Sequence, residues 1–293
     1  MRRRASVSGA IFDGFNSLFM LLVFCVMMYP FLYVLNYSIS ASAKVGGSAL
    51  FLPVGVNFDN YRILLKDSTI YRAFFVSLSR CLVGPAAMIV VSGMAGYVLS
   101  KKDLVFGKFF RWAIFFTMYF GAGLIPQYLL MKNVGLTNTY LVYIVPGMVS
   151  AFNIILIRTY IENLPISVEE AALIDGCNEF QVYWRVLFPI CLPVNAAVIL
   201  FSAIGHWNDF MTTQLYNAMK PALYTMQYVL YNALAVQLQQ TLEEAKRSFS
   251  ENVVTGQSLK MAITVITIIP IMCAYPFLQR YFVSGLLVGS IKA

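Results

Sequence analysis

Apolar residues run along this chain in long blocks, separated by shorter polar stretches. Six blocks are long enough to cross a bilayer, at about 16–39, 74–99, 109–131, 140–161, 190–211 and 260–281. Crossing the hydrocarbon takes about 20 apolar residues. With no water there for backbone groups, each block has to satisfy its own N–H and C=O groups as a helix. The pattern predicts an all-α polytopic membrane protein with six transmembrane helices.

Charge then sets the expected orientation, because cytoplasmic flanks collect Lys and Arg. Arg2, Arg3 and Arg4 precede the first block, and Lys101, Lys102, Lys108 and Arg111 surround the 100–108 turn. The 132–139 turn holds a single lysine, Lys132. Both termini, the 100–108 turn and the 162–189 loop are therefore expected in the cytoplasm, and the 40–73 and 212–259 loops outside. The Arg triplet, the apolar run and Ala41-Ser42-Ala43 imitate a secretory leader with its cleavage site. The run from Phe15 to Ile39 exceeds the usual leader core, so it is read as the first membrane helix. The resulting organisation is a cytoplasmic tail at 1–15, a first helix with its outer loop at 16–73, a core at 74–281 and a cytoplasmic tail at 282–293. The core comprises five helices and includes the 162–189 and 212–259 loops.

Composition agrees with membrane residence. Hydrophobic residues make up 59% and charged residues 12%, about half the charged share of a soluble domain. The net charge of +8 is spread between apolar runs rather than gathered in one stripe, which argues against nucleic acid and for topology signals. Five cysteines are widely spaced, with no CxxC and no His/Cys cluster, so neither a disulfide framework nor a metal centre is expected.

Polar and helix-weakening residues punctuate the blocks: Arg80, Gly84-Pro85, Ser92, Gly93, Gly96, Gly121, Gly123, Pro126, Gln127, Pro146-Gly147, Asn153 and Asn195. Small residues such as Ser92-x-x-x-Gly96 let helices pack closely. Intramembrane polar groups also mark solute routes. Arg80 is costly in lipid unless it is paired or faces water. Candidate partners are an acid of this chain, a neighbouring subunit and a uronate carboxylate on a substrate.

The stretch SVEEAALIDGCNEFQVYWRVLFPICLP, from Ser167 to Pro193, stands apart: Glu169, Glu170, Asp175 and Glu179 crowd into it. Ser167-x-x-Glu170 has the form of a capping box, and Asn178 with Gln181 repeats that logic. Gly176 suits a left-handed helix end, and Pro189 suits the opening of the fifth span. Two short helices meeting at a glycine are expected, with Ala171 and Ala172 leaving room for a partner's close approach.

This stretch resembles the cytoplasmic signature of permease subunits of ATP-binding-cassette importers: EAA, three residues, Gly, nine residues, a branched apolar residue, one residue, Leu, Pro. The chain has Glu170-Ala171-Ala172, Gly176, Val186, Phe188 and Pro189 at those places, with Val for Ile and Phe for Leu. The likeness extends from about Phe51 to Ala293 through FLPVGVNFDNYRILL, AGYVLSKKDLVFGKFF, WNDF and YPFLQRYFVSGLLVGSIKA. It is closest to the maltose-type carbohydrate permeases, in the branch taking complex oligosaccharides such as alginate. The resemblance implies the type I importer permease fold and import of oligosaccharides, acidic ones included, across a bacterial inner membrane. It implies that Ser167, Glu169, Glu170, Ala171, Ala172, Asp175, Gly176 and Pro189 couple to an ATPase subunit. It also makes the Gly289–Ala293 tail, with Gly289 and Lys292, a candidate second contact.

No GxxxxGK[ST] phosphate loop occurs, so ATP and Mg are expected on a partner ATPase dimer and no cofactor in this chain. The other expected partners are a second homologous permease subunit, an extracytoplasmic solute-binding protein, the oligosaccharide and the lipid bilayer. His206, Trp207, Asn208 and Asp209 occupy about one helical turn, with rings and hydrogen-bonding groups suited to sugars. An interfacial anchor explains them equally well. A secondary transporter would call for an inverted repeat and mid-membrane acids, and a membrane enzyme for signatures such as HExxH or GxSxG; none of these is found. The nearest alternative is an importer permease for a different solute, against which only the resemblance to the sugar branch argues.

Overall fold

The computed structural model describes residues 7–40, 52–244 and 257–273, which are mostly helical. By contacts the chain forms two units, one from 1–67 and 232–268, the other from 68–231 and 269–293.

In the first unit, α1 (Val7–Ser38) carries a 28-residue apolar run, Ile11–Ser38, whose side chains are largely exposed. Its end is held by hydroxyls. Ser38 Oγ donates to Leu35 O at 2.7 Å and Ser40 Oγ to Asn36 O at 2.6 Å, adding side-chain donors to carbonyls of the last turns. Helix α2 (Asp59–Leu64) docks here. Asn60 donates Nδ2 to Ser38 O at 3.1 Å, and the Tyr61 and Ser38 hydroxyls meet at 2.7 Å. Two helices, α11 (Met226–Glu244) and α12 (Gln257–Cys273), pass through positions of both units.

The second unit is organised around α3 (Ser68–Ser100), which spans about 50 Å at 1.5 Å per residue. Helices α6 (Ala151–Glu162) and α10 (Leu192–Asn208) pack along it. Between apolar helices in lipid the attraction comes from close packing, and α3 supplies the room. The Cβ that Gly84 lacks would lie 2.2 Å from His206 Nε2, so the imidazole of α10 fills that notch. Ser92 and Gly96 meet α6 as their spacing predicts. Ser92 Oγ donates to Met148 O at 2.7 Å and accepts from Ser150 N–H at 3.0 Å, while Gly96 lies under Ile154 and Ile157. The core joins Met88, Ile89 and Tyr97 of α3 to Ile157 and Ile161 of α6 and to Val194 and Val198 of α10.

Three predicted spans are interrupted. Block 109–131 is two helices, α4 (Gly107–Thr117) and α5 (Leu124–Asn133). They are separated at Tyr119–Gly123, where Gly123 takes φ +84°. Block 140–161 begins with 3-10 turns at Tyr140–Tyr143 and Val145–Gly147, and the bend to α6 is 42°. The fifth span does not open at Pro189. A hairpin arm runs from α8 (Glu179–Gln181) through a π turn (Val182–Leu187) to α9 (Phe188–Ile190), then bends by 86° at Cys191 into α10. Pro189 has no N–H for the Arg185 carbonyl and Pro193 none for the Pro189 carbonyl, so the ladder fails twice within one turn of the bend. The sixth block lies on α12 as far as Cys273; its remainder is outside the described residues.

Candidate functional site

The acid-rich stretch folds as a helical hairpin. Helix α7 (Ser167–Ile174) starts earlier than the Ser167 capping box requires. Pro165 and Ile166 accept from the amides of Val168, Glu169 and Glu170, so Ser167 lies inside the first turn and its hydroxyl makes no cap. Pro165, fixed near helical φ, offers a nucleus one turn upstream. The far end follows the sequence. Gly176, at φ +84°, gives its N–H to Leu173 O, and Cys177 gives its own to Ala172 O, both at 3.0 Å. This double closure is the glycine-dependent Schellman end. The second box forms: Asn178 N–H donates to Gln181 Oε1 at 3.0 Å, and Gln181 N–H to Asn178 Oδ1 at 2.9 Å.

The four carboxylates separate into two pairs. Glu169 and Glu179 turn back toward α3, where Lys101 Nζ pairs with both, the second at 2.7 Å. The Tyr97 hydroxyl donates to Glu179 and lies 3.4 Å from Glu169 Oε1. Lys101 also sits 4.6 Å above the Tyr97 ring, which stacks on Tyr183 at 5.4 Å. The Lys101 bond, followed by that from Tyr97, holds the Glu179 carboxyl below its ordinary range. These contacts lock the hairpin to the end of α3, with a cleft of about 680 Å³ between the Ser100–Asp103 turn and the hairpin. Glu170, at the edge of that cleft, and Asp175 are exposed and form no ion pair among the described residues. Around them Ile166, Leu173, Ile174 and Phe180 are exposed too, Ile174 at 85%. Ala172 is buried in the core and Ala171 is exposed. The hairpin thus presents apolar side chains edged by two acids, a surface suited to a groove in a partner protein.

Nearer the start of α3, the WNDF element meets Arg80. This arginine is 1% exposed and donates Nη2 to Asp209 Oδ2 at 2.6 Å and Nη1 to Asp209 O at 3.1 Å. Its guanidinium lies 4.5 Å from the Tyr143 ring centroid. Asp209 Oδ1 accepts from Thr212 N–H at 3.0 Å, which holds the turn leaving α10. A hydroxyl chain continues from there: Tyr143 and Thr213 meet at 3.0 Å, Thr213 and Thr225 at 3.0 Å, and Met226 N–H donates to Ser77 Oγ at 2.8 Å. Trp207 is buried with its ring edge-on to Phe74 at 6.2 Å, His206 is half-buried against Gly84, and Asn208 is exposed. Of the open readings for Arg80, the geometry supplies an acid of the same chain.

The structure therefore brings Arg80, His206 and Asp209 together, groups Glu169 with Glu179, and leaves Ser167, Glu170 and Asp175 exposed. Pro189 lies in the arm before the bend. Gly289 and Lys292 fall outside the described residues. Sequence reasoning did not pick out Tyr97, Lys101, Tyr143 or Thr213. Lys101 was counted only as a topology charge, although an apolar helix ending in a lone tyrosine and lysine was a usable signal.

Comparison with known proteins places these features in context. A family model described as "Binding-protein-dependent transport system inner membrane component" matches residues 104–288. The chain is 34% identical over 287 residues to Protein LplC of Bacillus subtilis (strain 168), covering 97% of this chain and 96% of that one. It is 32% identical over 285 residues to the polygalacturonan/rhamnogalacturonan transport system permease protein YtcP of the same organism, covering 96% and 98%. Among solved structures it is similar to a chain in the crystal structure of a bacterial ABC transporter involved in the import of the acidic polysaccharide alginate. There the TM-score is 0.81 at 31% identity, with 94% of this chain and 98% of that chain covered.

Proposed function

This chain belongs to the family of inner-membrane components of binding-protein-dependent transport systems, and from that premise we propose that it is the permease subunit of an ATP-driven importer of acidic oligosaccharides. The observation that carries the coupling part is the hairpin at 167–190, apolar and acid-edged outside and locked to α3 inside. The substrate class is supported by relatives whose names specify polygalacturonan/rhamnogalacturonan and alginate.

Moving a large hydrated solute through a low-dielectric layer without a leak requires two alternately open packings and an energy source that biases them. A partner ATPase dimer holds ATP and Mg, and its groove takes the Ile174 and Phe180 side of the hairpin. Both termini, the 100–108 turn and the hairpin face the cytoplasm. A second homologous permease subunit completes the pathway, and an extracytoplasmic binding protein delivers the solute to the outer loops. Arg80 and Asp209 fasten the outer half of the bundle, and Asn208 is the member of the WNDF group left exposed beside the path.

The test is reconstitution of the full complex in proteoliposomes with its binding protein. Oligogalacturonates or oligoalginates are expected to stimulate ATP hydrolysis and to accumulate, and neutral oligosaccharides of equal length are expected to do neither. In Glu170→Lys/Asp175→Lys the stimulation should fall at least tenfold while the complex still assembles. Equal uptake of neutral chains would remove the acidic-substrate assignment, and full stimulation of the double variant would remove the coupling one.

A further inference from the structure

A second site lies on α4 and α6, away from the hairpin's outer surface and the Arg80 clamp. Lys108, Arg111, Trp112, Phe115 and Arg158 line a cleft of about 350 Å³. Two of its cations are fixed in advance. Arg111 gives Nη1 to Leu99 O at 3.2 Å and Lys101 O at 3.4 Å, anchoring its guanidinium at the end of α3. Arg158 gives Nε to Glu162 Oε1 at 2.8 Å, a bond that does not engage its terminal Nη groups. Lys108 is the exposed third cation. Three cations against one acid leave a net positive cleft of a size to take a phosphate.

The surroundings indicate which phosphate. The cleft sits at the first turn of α4 and the last of α6, where two apolar segments begin and end. Trp112 beside it is 70% exposed, and Trp at such a boundary marks the headgroup level. Phe109 and Phe116 of α4 and Phe120 just past its end are exposed, Phe116 and Phe120 stacking at 4.0 Å. A fixed cationic pocket at the rim, continuing into an exposed aromatic helix, fits a molecule with an anionic head and apolar chains. Basic pockets between membrane helices on the cytoplasmic side bind such headgroups.

We propose that Lys108, Arg111 and Arg158 form a binding site for the phosphate of an anionic phospholipid, with its acyl chains lying along α4. The site uses neither the coupling surface nor a solute path, so it stands whatever the importer carries.

The test is native mass spectrometry of the assembled complex, purified in detergent and titrated with palmitoyl-oleoyl phosphatidylglycerol or the matching phosphatidylcholine. The anionic lipid is expected to stay bound preferentially. Each cation near an anionic surface contributes about fivefold in affinity. Lys108→Gln, an exposed change with no packing to disturb, should therefore weaken retention about fivefold, and Lys108→Gln/Arg158→Gln about 25-fold. Lys132→Gln, with the same loss of charge at a distant exposed position, should leave retention unchanged. Equal retention of the two lipids, or unchanged retention in the double variant, overturns the site. Equal competition by inorganic phosphate at matched ionic strength would make it a free-anion site. Cross-linking of Trp112→Cys to a neighbouring subunit would make it a protein interface. Either result also overturns the proposal.

Discussion

Arg80 illustrates how one residue's cost in a membrane is met. A guanidinium 1% exposed has to be bonded, and Asp209 provides two acceptors, one from its carboxylate and one from its backbone. Removing one member of such a pair leaves a bare buried charge, a loss of about 3–5 kcal/mol, whereas replacing both by apolar groups of similar size is often neutral. Asp209→Ala should accordingly lower the thermal midpoint of the purified complex by several degrees, with Arg80→Met/Asp209→Leu recovering most of that loss. If the single variant melts like the parent, the pair does not hold the bundle together. Gly84 raises the same issue of room rather than charge, since the His206 ring occupies the place where a methyl would be.

Among elements, the hairpin was the most legible in advance, and its misread parts have physical reasons. The Asn178–Gln181 box and the Gly176 end depend on neighbours within five residues, so local sequence specifies them. Ser167 was assigned a capping role that Pro165 forestalls by starting the helix sooner. The third span was read as one helix even though Gly121 and Gly123 weaken it at the break, and the 86° bend in the fifth was missed because an apolar run reads the same across it as along a straight helix. The four acids were visible, but their division into tethered and free pairs was not, because Lys101 lies 68 positions from Glu169 and 78 from Glu179. Lys101→Met should release both carboxylates, and amide exchange over 167–181 should rise at least tenfold with α3 unaffected; unchanged exchange would show that the lock is idle. Acid should act similarly. Glu179 is lowered in the fold, so its contribution is complete above the ordinary carboxylate range and disappears as pH falls through its own lower value. Spin labels at Lys102 and Ile174 should give a narrow distance distribution at neutral pH that broadens only below about pH 4.

For the whole molecule, the question is which way it faces. The contacts sort the loops into two groups. Lys101 in the 100–108 turn meets the hairpin, while Asn138 N–H reaches Tyr216 O at 3.0 Å and Asn217 Nδ2 reaches Thr139 O at 3.2 Å, joining the 132–139 turn to the stretch after α10. The proposed topology puts the first group, flanked by positive charge, in the cytoplasm. Met219→Cys is therefore expected to react with an impermeant maleimide in intact spheroplasts, and Ile174→Cys only after permeabilisation. Both side chains are highly exposed in the chain, at 91% and 85%, so when it is expressed without its ATPase, membrane sidedness alone decides the outcome. The opposite labelling pattern would invert the molecule and remove the hairpin from any cytoplasmic motor.

The 86° bend at Cys191 has a mechanical consequence. The arm from Glu179 to Ile190, 12 residues long and so about 18 Å, stands off α10 like a crank handle. A sideways push at its tip exerts torque about the α10 axis, which a straight continuation of the helix would not feel. The far end of that shaft is geared through Asp209 to Arg80, so twist entering at the hairpin is handed on to α3.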